Sequence, residues 1–383
     1  MAKRAFVVVI DACGAGAAPD AADYGDEGAD TLGHLAERLG GLRLPTLERL
    51  GLGSIIPVRG VAPASAPVLH GCLCPQGPGK DSTAGHWELM GIVASRQPPT
   101  YPGGFPADVL ELVRGESDRD VICNRPDNGL DAIEQFAGEQ LRSGALIVYT
   151  SQDSVLQIAA HTDVVAPAQL YEICARVRAR LNGEHAVGRV IARPFAGAEG
   201  AFHRTDGRRD FALAPPRPGH LDAIRARGVE VHAVGKVAQL FAGAGIDVEH
   251  PGPTNAAAMA QVAELLAALD GGLVFANLIE TDQVYGHRHD FDGFAAALRE
   301  IDARVAEWLR ALDDGDLLVL TADHGCDLMS PRTDHTRERA PLLAAFAGHG
   351  GRRHDGALSD VGASVLEWLT GEREPSLPGS SFL

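Results

Sequence analysis

Apolar residues in this 383-residue chain fall into two alternating patterns, short unbroken runs and longer stretches with helical spacing. Residues 6–10, 273–279 and 317–321 are runs of strand length without polar alternation, which predicts strands covered on both faces. Residues 229–234 and 342–346 are two further strands. Asp30-Thr-Leu-Gly-His opens a capped amphipathic helix, and 255–269, 291–312 and 360–369 predict further helices. Strand and helix alternate, so the expected fold is α/β, a mostly parallel sheet flanked by helices.

Two Pro/Gly-rich breaks, RQPPTYPGGFP at 96–106 and APPRPG at 214–219, interrupt this order. Between them lies a strand at 144–150, a helix at 169–181 and a strand at 188–192. The simplest reading is a smaller α/β domain, 98–215, inserted into a core formed by 1–97 and 216–383, with the breaks as paired hinges. No internal repeat is visible, and 375–383 reads as a surface extension.

The chemistry gathers where strands stop. The first run ends at Asp11, followed by Gly14 and Gly16. The 317–321 run leads into Asp323-His324-Gly325, and His335 follows inside TDHTRE. The 273–279 run leads into ETDQVYGHRHD, which carries Asp282 and His287. Open parallel sheets place ligands beyond the carboxyl ends of their strands. Each of these residues alone reads as a turn or a cap; together they sort into two ligand sets, Asp11, Asp323 and His324, and Asp282, His287 and His335. Asp282 and His287 are five apart and share no α-helical face, so they meet only if Tyr285-Gly286 turns the chain. Carboxylate and imidazole ligands leave Mn²⁺, Mg²⁺ and Zn²⁺ open. Ser82 follows GPGKD where a helix would begin, with N–H groups and a helix dipole suited to phosphate; a plain N-cap is the alternative use. Two cations about 3.5–4 Å apart hold both oxygens of an in-line phosphoryl displacement, with Ser82 between them.

Composition narrows the partner. Apolar content of 45% with 22% charged residues is that of an ordinary globular chain. Lys and Arg number 34 against 51 Asp and Glu, a net charge of −17 that fits neither nucleic acid nor an anionic membrane. An anionic substrate would then be held by a local Arg/Lys cluster or by cations. The first apolar run is too short for a signal-peptide core or a membrane span, and the six cysteines are scattered, as reduced cytoplasmic thiols are. Cys326 stands beside the ligand loop with no role required of it.

GKDSTAGHWE, ETDQVYGHRHD, TADHG and TDHTRE, in this order and spacing, resemble the phosphopentomutases of the alkaline phosphatase superfamily. The resemblance runs nearly the whole chain, through DACGAGAAPDAADYGDEGADTLGH, YTSQDSVLQIAAH and GRVIARPF to the closing GSSFL. It implies an alkaline phosphatase-like core with an inserted cap, two Mn²⁺ and a sugar bisphosphate activator. The implied reaction interconverts ribose 1-phosphate and ribose 5-phosphate, and the 2-deoxyribose pair, in nucleoside catabolism. The phosphorylated residue maps to Ser82, where many members carry Thr; Thr83 is the second candidate. Glu280 also departs from the family pattern and is expected outside the metal ligands. Ser151 and Asp153 map to positions that meet the sugar; Arg189 and Arg204, with Arg193 and Lys236, match or flank those that bind the distal phosphate. His161 reads as structural, and His86 and Trp87 as supports for the Ser82 helix. A pentose phosphate is the only partner implied: no nucleic acid, no membrane, no obligate protein. The alternatives are a metal-dependent phosphatase or phosphodiesterase, a cofactor-independent phosphoglycerate mutase-like enzyme, and a non-catalytic metal-stabilised binding protein.

Overall fold

The computed structural model describes residues 2–151, 154–348 and 350–383. In chain order its strands are β1 (Arg4–Ile10), β2 (Leu69–Cys74), β3 (Val121–Pro126), β4 (Leu146–Thr150), β5 (Val155–His161), β6 (Arg189–Ala196) and β7 (His203–Arg204). They continue with β8 (Arg209–Ala212), β9 (Val231–Val234), β10 (Val248–His250), β11 (Gly272–Leu278), β12 (Asp316–Thr321), β13 (Ala340–Ala345) and β14 (Gly356–Ala357). The chain divides into two compact units, residues 1–96 with 215–383, and residues 97–214. Both crossings fall at the proline-rich breaks.

The first unit holds an eight-stranded sheet in the order β10-β9-β11-β1-β12-β13-β2-β14. Strands β10 to β12 run parallel, and β13 is antiparallel to both of its neighbours. The three unbroken apolar runs, β1, β11 and β12, are the adjacent central strands, and every residue in them is buried. That is the expected location for strands with helices on both faces. Arg4, Asp316 and Asn277 depart from the apolar composition of these strands, and the Arg4 guanidinium makes a fork with Asp316, Nε to Oδ1 at 2.7 Å and Nη2 to Oδ2 at 2.6 Å, pinning the amino ends of β1 and β12.

The second unit has its own mixed sheet, β3-β4-β5-β6-β7, with β8 also pairing β6. Alternation along β4 divides its two cores. Leu146 and Val148 pack with the Ala107–Ser117 and Pro167–Arg180 helices, whereas Ile147 and Tyr149 face the Gly129–Ser143 helix.

Residues 375–383 run along the surface, as the sequence reading has it, and are held there by a few anchors. Phe382 is buried against the His354 ring, its N–H reaches Ser364 Oγ at 3.0 Å, and Ser380 N–H reaches Asp360 Oδ1 at 2.6 Å. Phe382 alone is buried; the rest of the segment is exposed or half-buried. Among the described residues no helix is long and apolar enough to cross a membrane.

Candidate active site

Register alone brings three of the carboxylates together. Ile10 pairs with Leu278 and Val9 with Thr321, so β11, β1 and β12 end level at one sheet edge. Asp11 follows β1 directly, and its N–H bonds the Leu278 carbonyl at 3.2 Å. Asp323 lies two residues past β12 and accepts the Ala12 N–H at 3.2 Å. After β11 the chain enters a π-helical turn, Thr281–Tyr285, and then a tight turn, Gly286–Arg288. A π turn repeats near five residues, which is how Asp282 and His287 come to face one point. His335 arrives through paired backbone bonds between Gly325 and Thr336, which set its ring 4.1 Å from that of His324.

These six side chains converge. His324 Nε2 is 3.3 Å from Asp11 Oδ1 and 3.5 Å from Asp323 Oδ2. Asp282 Oδ1 is 3.4 Å from His287 Nε2 and 3.2 Å from His335 Nε2, and those two nitrogens are 3.2 Å apart. Candidate ligand groups form around Asp11, Asp323 and His324, around Asp282, His324 and His335, and around Asp282, His287 and Cys326. His324 therefore stands between the two sets that the sequence kept separate. Cys326, to which the sequence reading gave no role, lies beside the second.

The donor chemistry fits divalent cations. His287 Nδ1 donates to the Thr333 carbonyl at 2.6 Å and His324 Nδ1 to that of Gly325 at 3.0 Å. Each ring thereby turns the lone pair of its neutral Nε2 toward carboxylate oxygens, an arrangement that asks for a positive charge between them. Asp282 Oδ1 and Asp323 Oδ2 are buried and accept no hydrogen bond among the described residues. Without a cation, protons take its place. The Asp282 carboxylate pushes His287 up to about 9. Burial opposes charge on His324, yet Asp323 and Asp11 hold it well above its ordinary value. Burial likewise opposes charge on Asp323, but His324 and His86 bring it down to about 2. Burial and the nearby Asp323 raise Asp11.

Ser82 sits where the sets meet. It opens the Ser82–Leu89 helix, with Asp81 Oδ1 capping the Ala84 N–H at 3.0 Å. Its hydroxyl lies 3.4 Å from Asp11 Oδ1 and 3.2 Å from His324 Nε2. Four supports escaped the sequence reading or were underestimated by it. His86 Nδ1 donates to the Ser82 carbonyl at 2.8 Å and stands 3.1 Å from Asp323 Oδ2. Asn277, inside the apolar run of β11, donates to Asp11 Oδ2 at 2.9 Å and contacts His86 Nε2 at 3.2 Å. Arg337 is fully buried and ties the Ser82 loop to the His335 segment, donating to the Gly77 and Gly79 carbonyls at 2.7 and 2.8 Å. Glu338 fills the space that a Cβ on Gly14 or Gly325 would need, each within 2.3 Å of its carboxylate. Two expectations about supports have simple geometry. Trp87 Nε1 bonds the Leu240 carbonyl at 2.9 Å, and Glu280 exchanges hydrogen bonds with Asn255 at 2.6 and 3.0 Å, away from the ligand groups.

In the second unit, Arg189 starts β6 and lies 3.5 Å from Asp210 Oδ2. Arg193, two turns of the strand on and on the same face, donates to Gln157 Oε1 at 3.0 Å. Arg204 is exposed on β7, and Ser151 follows β4. His161 bonds the Gly197 carbonyl at 2.9 Å and packs edge-on against Phe195. Lys236 belongs to the first unit, preceding the Val237–Leu240 turn. Asp153 lies outside the described residues.

Residues 3–372 match the family model of the metalloenzyme superfamily. A phosphopentomutase of Caldanaerobacter subterraneus subsp. tengcongensis is 44% identical, over all of this chain and 98% of its own. One from Anaeromyxobacter sp. strain K is 45% identical, over all of this chain and 99% of its own. Among solved structures, Leishmania mexicana phosphoglycerate mutase superposes with a TM-score of 0.53 at 14% identity, covering 99% of this chain and 97% of that one. The PH0037 protein of Pyrococcus horikoshii gives 0.51 at 15% identity, covering 98% and 99%. At such identities the two superpositions speak for the fold alone.

Proposed function

The chain belongs to the phosphopentomutases of the metalloenzyme superfamily, and on that premise we propose that it interconverts ribose 1-phosphate and ribose 5-phosphate, and the 2-deoxyribose pair, through phosphorylated Ser82. The observation that carries this reading is the Ser82 hydroxyl, 3.4 Å from Asp11 Oδ1 and 3.2 Å from His324 Nε2, at the meeting point of two ligand sets. Asp11, Asp323 and His324 would hold one cation, and Asp282, His287 and His335 the other. Mn²⁺ is the ion proposed; when bound, such cations screen phosphate charge and make a hydroxyl a better nucleophile.

In the first half-reaction the free hydroxyl of the sugar phosphate attacks the phosphorus on Ser82. A new sugar O–P bond forms, the Ser82 Oγ–P bond breaks, and the hydroxyl proton ends on Ser82 Oγ. The resulting bisphosphate turns end for end; in the second half-reaction Ser82 Oγ attacks its other phosphorus, that sugar O–P bond breaks, and the proton passes from Ser82 to the freed sugar oxygen. A sugar bisphosphate serves as activator by phosphorylating a resting Ser82. Residues 97–214 act as the cap, with Arg189, Arg193 and Arg204 on the phosphate that is not being transferred and Ser151 and Asp153 on the sugar; Lys236 assists from the core. Arginine forks suit phosphate because they present paired donors. A hydrolase has no use for such an arginine-bearing insert, which favours mutase over phosphatase. The six cysteines, none in a disulfide, support a cytoplasmic home.

The test is an assay on both pentose phosphates after chelation, with Mn²⁺ restored, comparing sugar isomer with free phosphate. Ser82→Ala is expected to lose turnover, by at least about a thousandfold, and to take up no acid-stable phosphate. Phosphate label persisting in that variant would move the role to Thr83; mainly free phosphate from the wild type would make the enzyme a hydrolase.

A further inference from the structure

The Tyr149 hydroxyl is buried and has no hydrogen-bond partner among the described residues. Such an atom destabilises a fold unless something satisfies it when the protein works. Its surroundings say what that is. Arg193, Arg204 and Arg208 all act electrostatically on the phenol. Tyr149 Oη and Arg204 Nη2 each lie 2.4 Å from the point that a Cβ on Gly129 would occupy. Gly129 is the first residue of the 15-residue Gly129–Ser143 helix, whose positive dipole end points the same way. Guanidinium groups only donate, and burial keeps the phenol protonated as well. The cluster therefore offers donors and positive charge from four side chains and a helix end, and what it lacks is an acceptor. Among the described residues Asp210 is a counter-charge, taking the Arg208 fork at 2.7 Å through each oxygen. Gln157 fixes Arg193 from below.

We propose that Tyr149 and Arg208 complete, with Arg193 and Arg204, the subsite for the untransferred phosphate, the Tyr149 hydroxyl donating to a phosphate oxygen and Gly129 leaving room for it. This rests on the phosphopentomutase reading and adds to it two residues and a steric requirement. The neutral hydroxyl makes a directional bond where arginines supply charge, so it distinguishes a phosphate monoester from a smaller or differently shaped anion.

Steady-state kinetics of the Mn²⁺-loaded full chain on ribose 5-phosphate test it. Tyr149→Phe removes one oxygen and keeps the ring. It is expected to raise KM about tenfold or more with kcat within about twofold, while melting at an equal or higher temperature because an unsatisfied hydroxyl has gone. Gly129→Ala, whose methyl enters the space between Tyr149 and Arg204, is expected to raise KM in the same way. Arg208→Lys, which keeps charge but loses the fork, is expected to raise it too. An active wild type whose Tyr149→Phe or folded Gly129→Ala variant keeps KM within about twofold overturns the subsite alone. A wild type that fails to interconvert the pentose phosphates overturns the function beneath it.

Discussion

His287 and His324 each spend one ring nitrogen on a backbone carbonyl and aim the other at carboxylates. In the metal-free protein those aimed nitrogens hold protons, since His287 is raised to about 9 and His324 well above its ordinary value. A cation must displace them. Loading at pH 7.5 is therefore expected to release about two protons per chain, and affinity should climb with pH through the His287 range near 9. Calorimetric titration with Mn²⁺ in buffers of different ionisation enthalpy measures the number; none released would mean that the imidazoles are not ligands. The residues at issue were legible because each interrupts or follows an apolar run, where a polar side chain is conspicuous. Asn277 was not, because it sits within such a run and only the register of β11 against β1 turns it toward Asp11. Arg337 and Glu338 lay in a quoted motif without a role, since their partners are remote: Thr31 is 307 positions from Glu338.

Between elements, Glu338 is the buried wedge. Its carboxylate accepts the Thr31 N–H at 2.9 Å and the Thr31 and Thr336 hydroxyls at 2.7 Å, and burial raises it from 4.5 to about 7. A raised carboxyl binds its proton more tightly in the folded state, so stability falls as pH rises from about 4.5 to 7 and is level above that. This one group accounts for about 3 kcal/mol across the window. Glu338→Gln should flatten that part of the curve in urea titrations of chelated protein; an unchanged slope would assign it elsewhere. The elements themselves were largely readable, because the central strands are continuous apolar runs and the helices carry caps and period. Two details were not. The π turn at Thr281–Tyr285 has no α-helical periodicity to announce it, so only the need for a bend was readable. The 375–383 segment is the surface extension its polar, Pro/Gly-rich composition suggests, but nothing local marks Phe382 as the side chain that anchors it.

At the scale of the molecule, the sequence breaks at 96–106 and 214–219 mark where the chain leaves one unit and returns. Residues 97–214 carry cores on both faces of their own sheet, lined by Val113, Leu156 and Ile158 on one side and Ile133, Ile147 and Phe195 on the other. A fragment of these residues is expected to fold alone with a single cooperative thermal transition by circular dichroism; a broad, non-cooperative melt would make the whole chain one folding unit. The other unit has no such independence, and β1 shows why. It is the first strand of the chain and lies between β11 and β12, with the Arg4–Asp316 fork joining positions 312 apart. On a ribosome, then, a strand apolar from Ala5 to Ile10 emerges long before either neighbour exists. It must be sheltered, by chaperones or by transient collapse, until the chain is nearly finished, while the inserted segment can already be native.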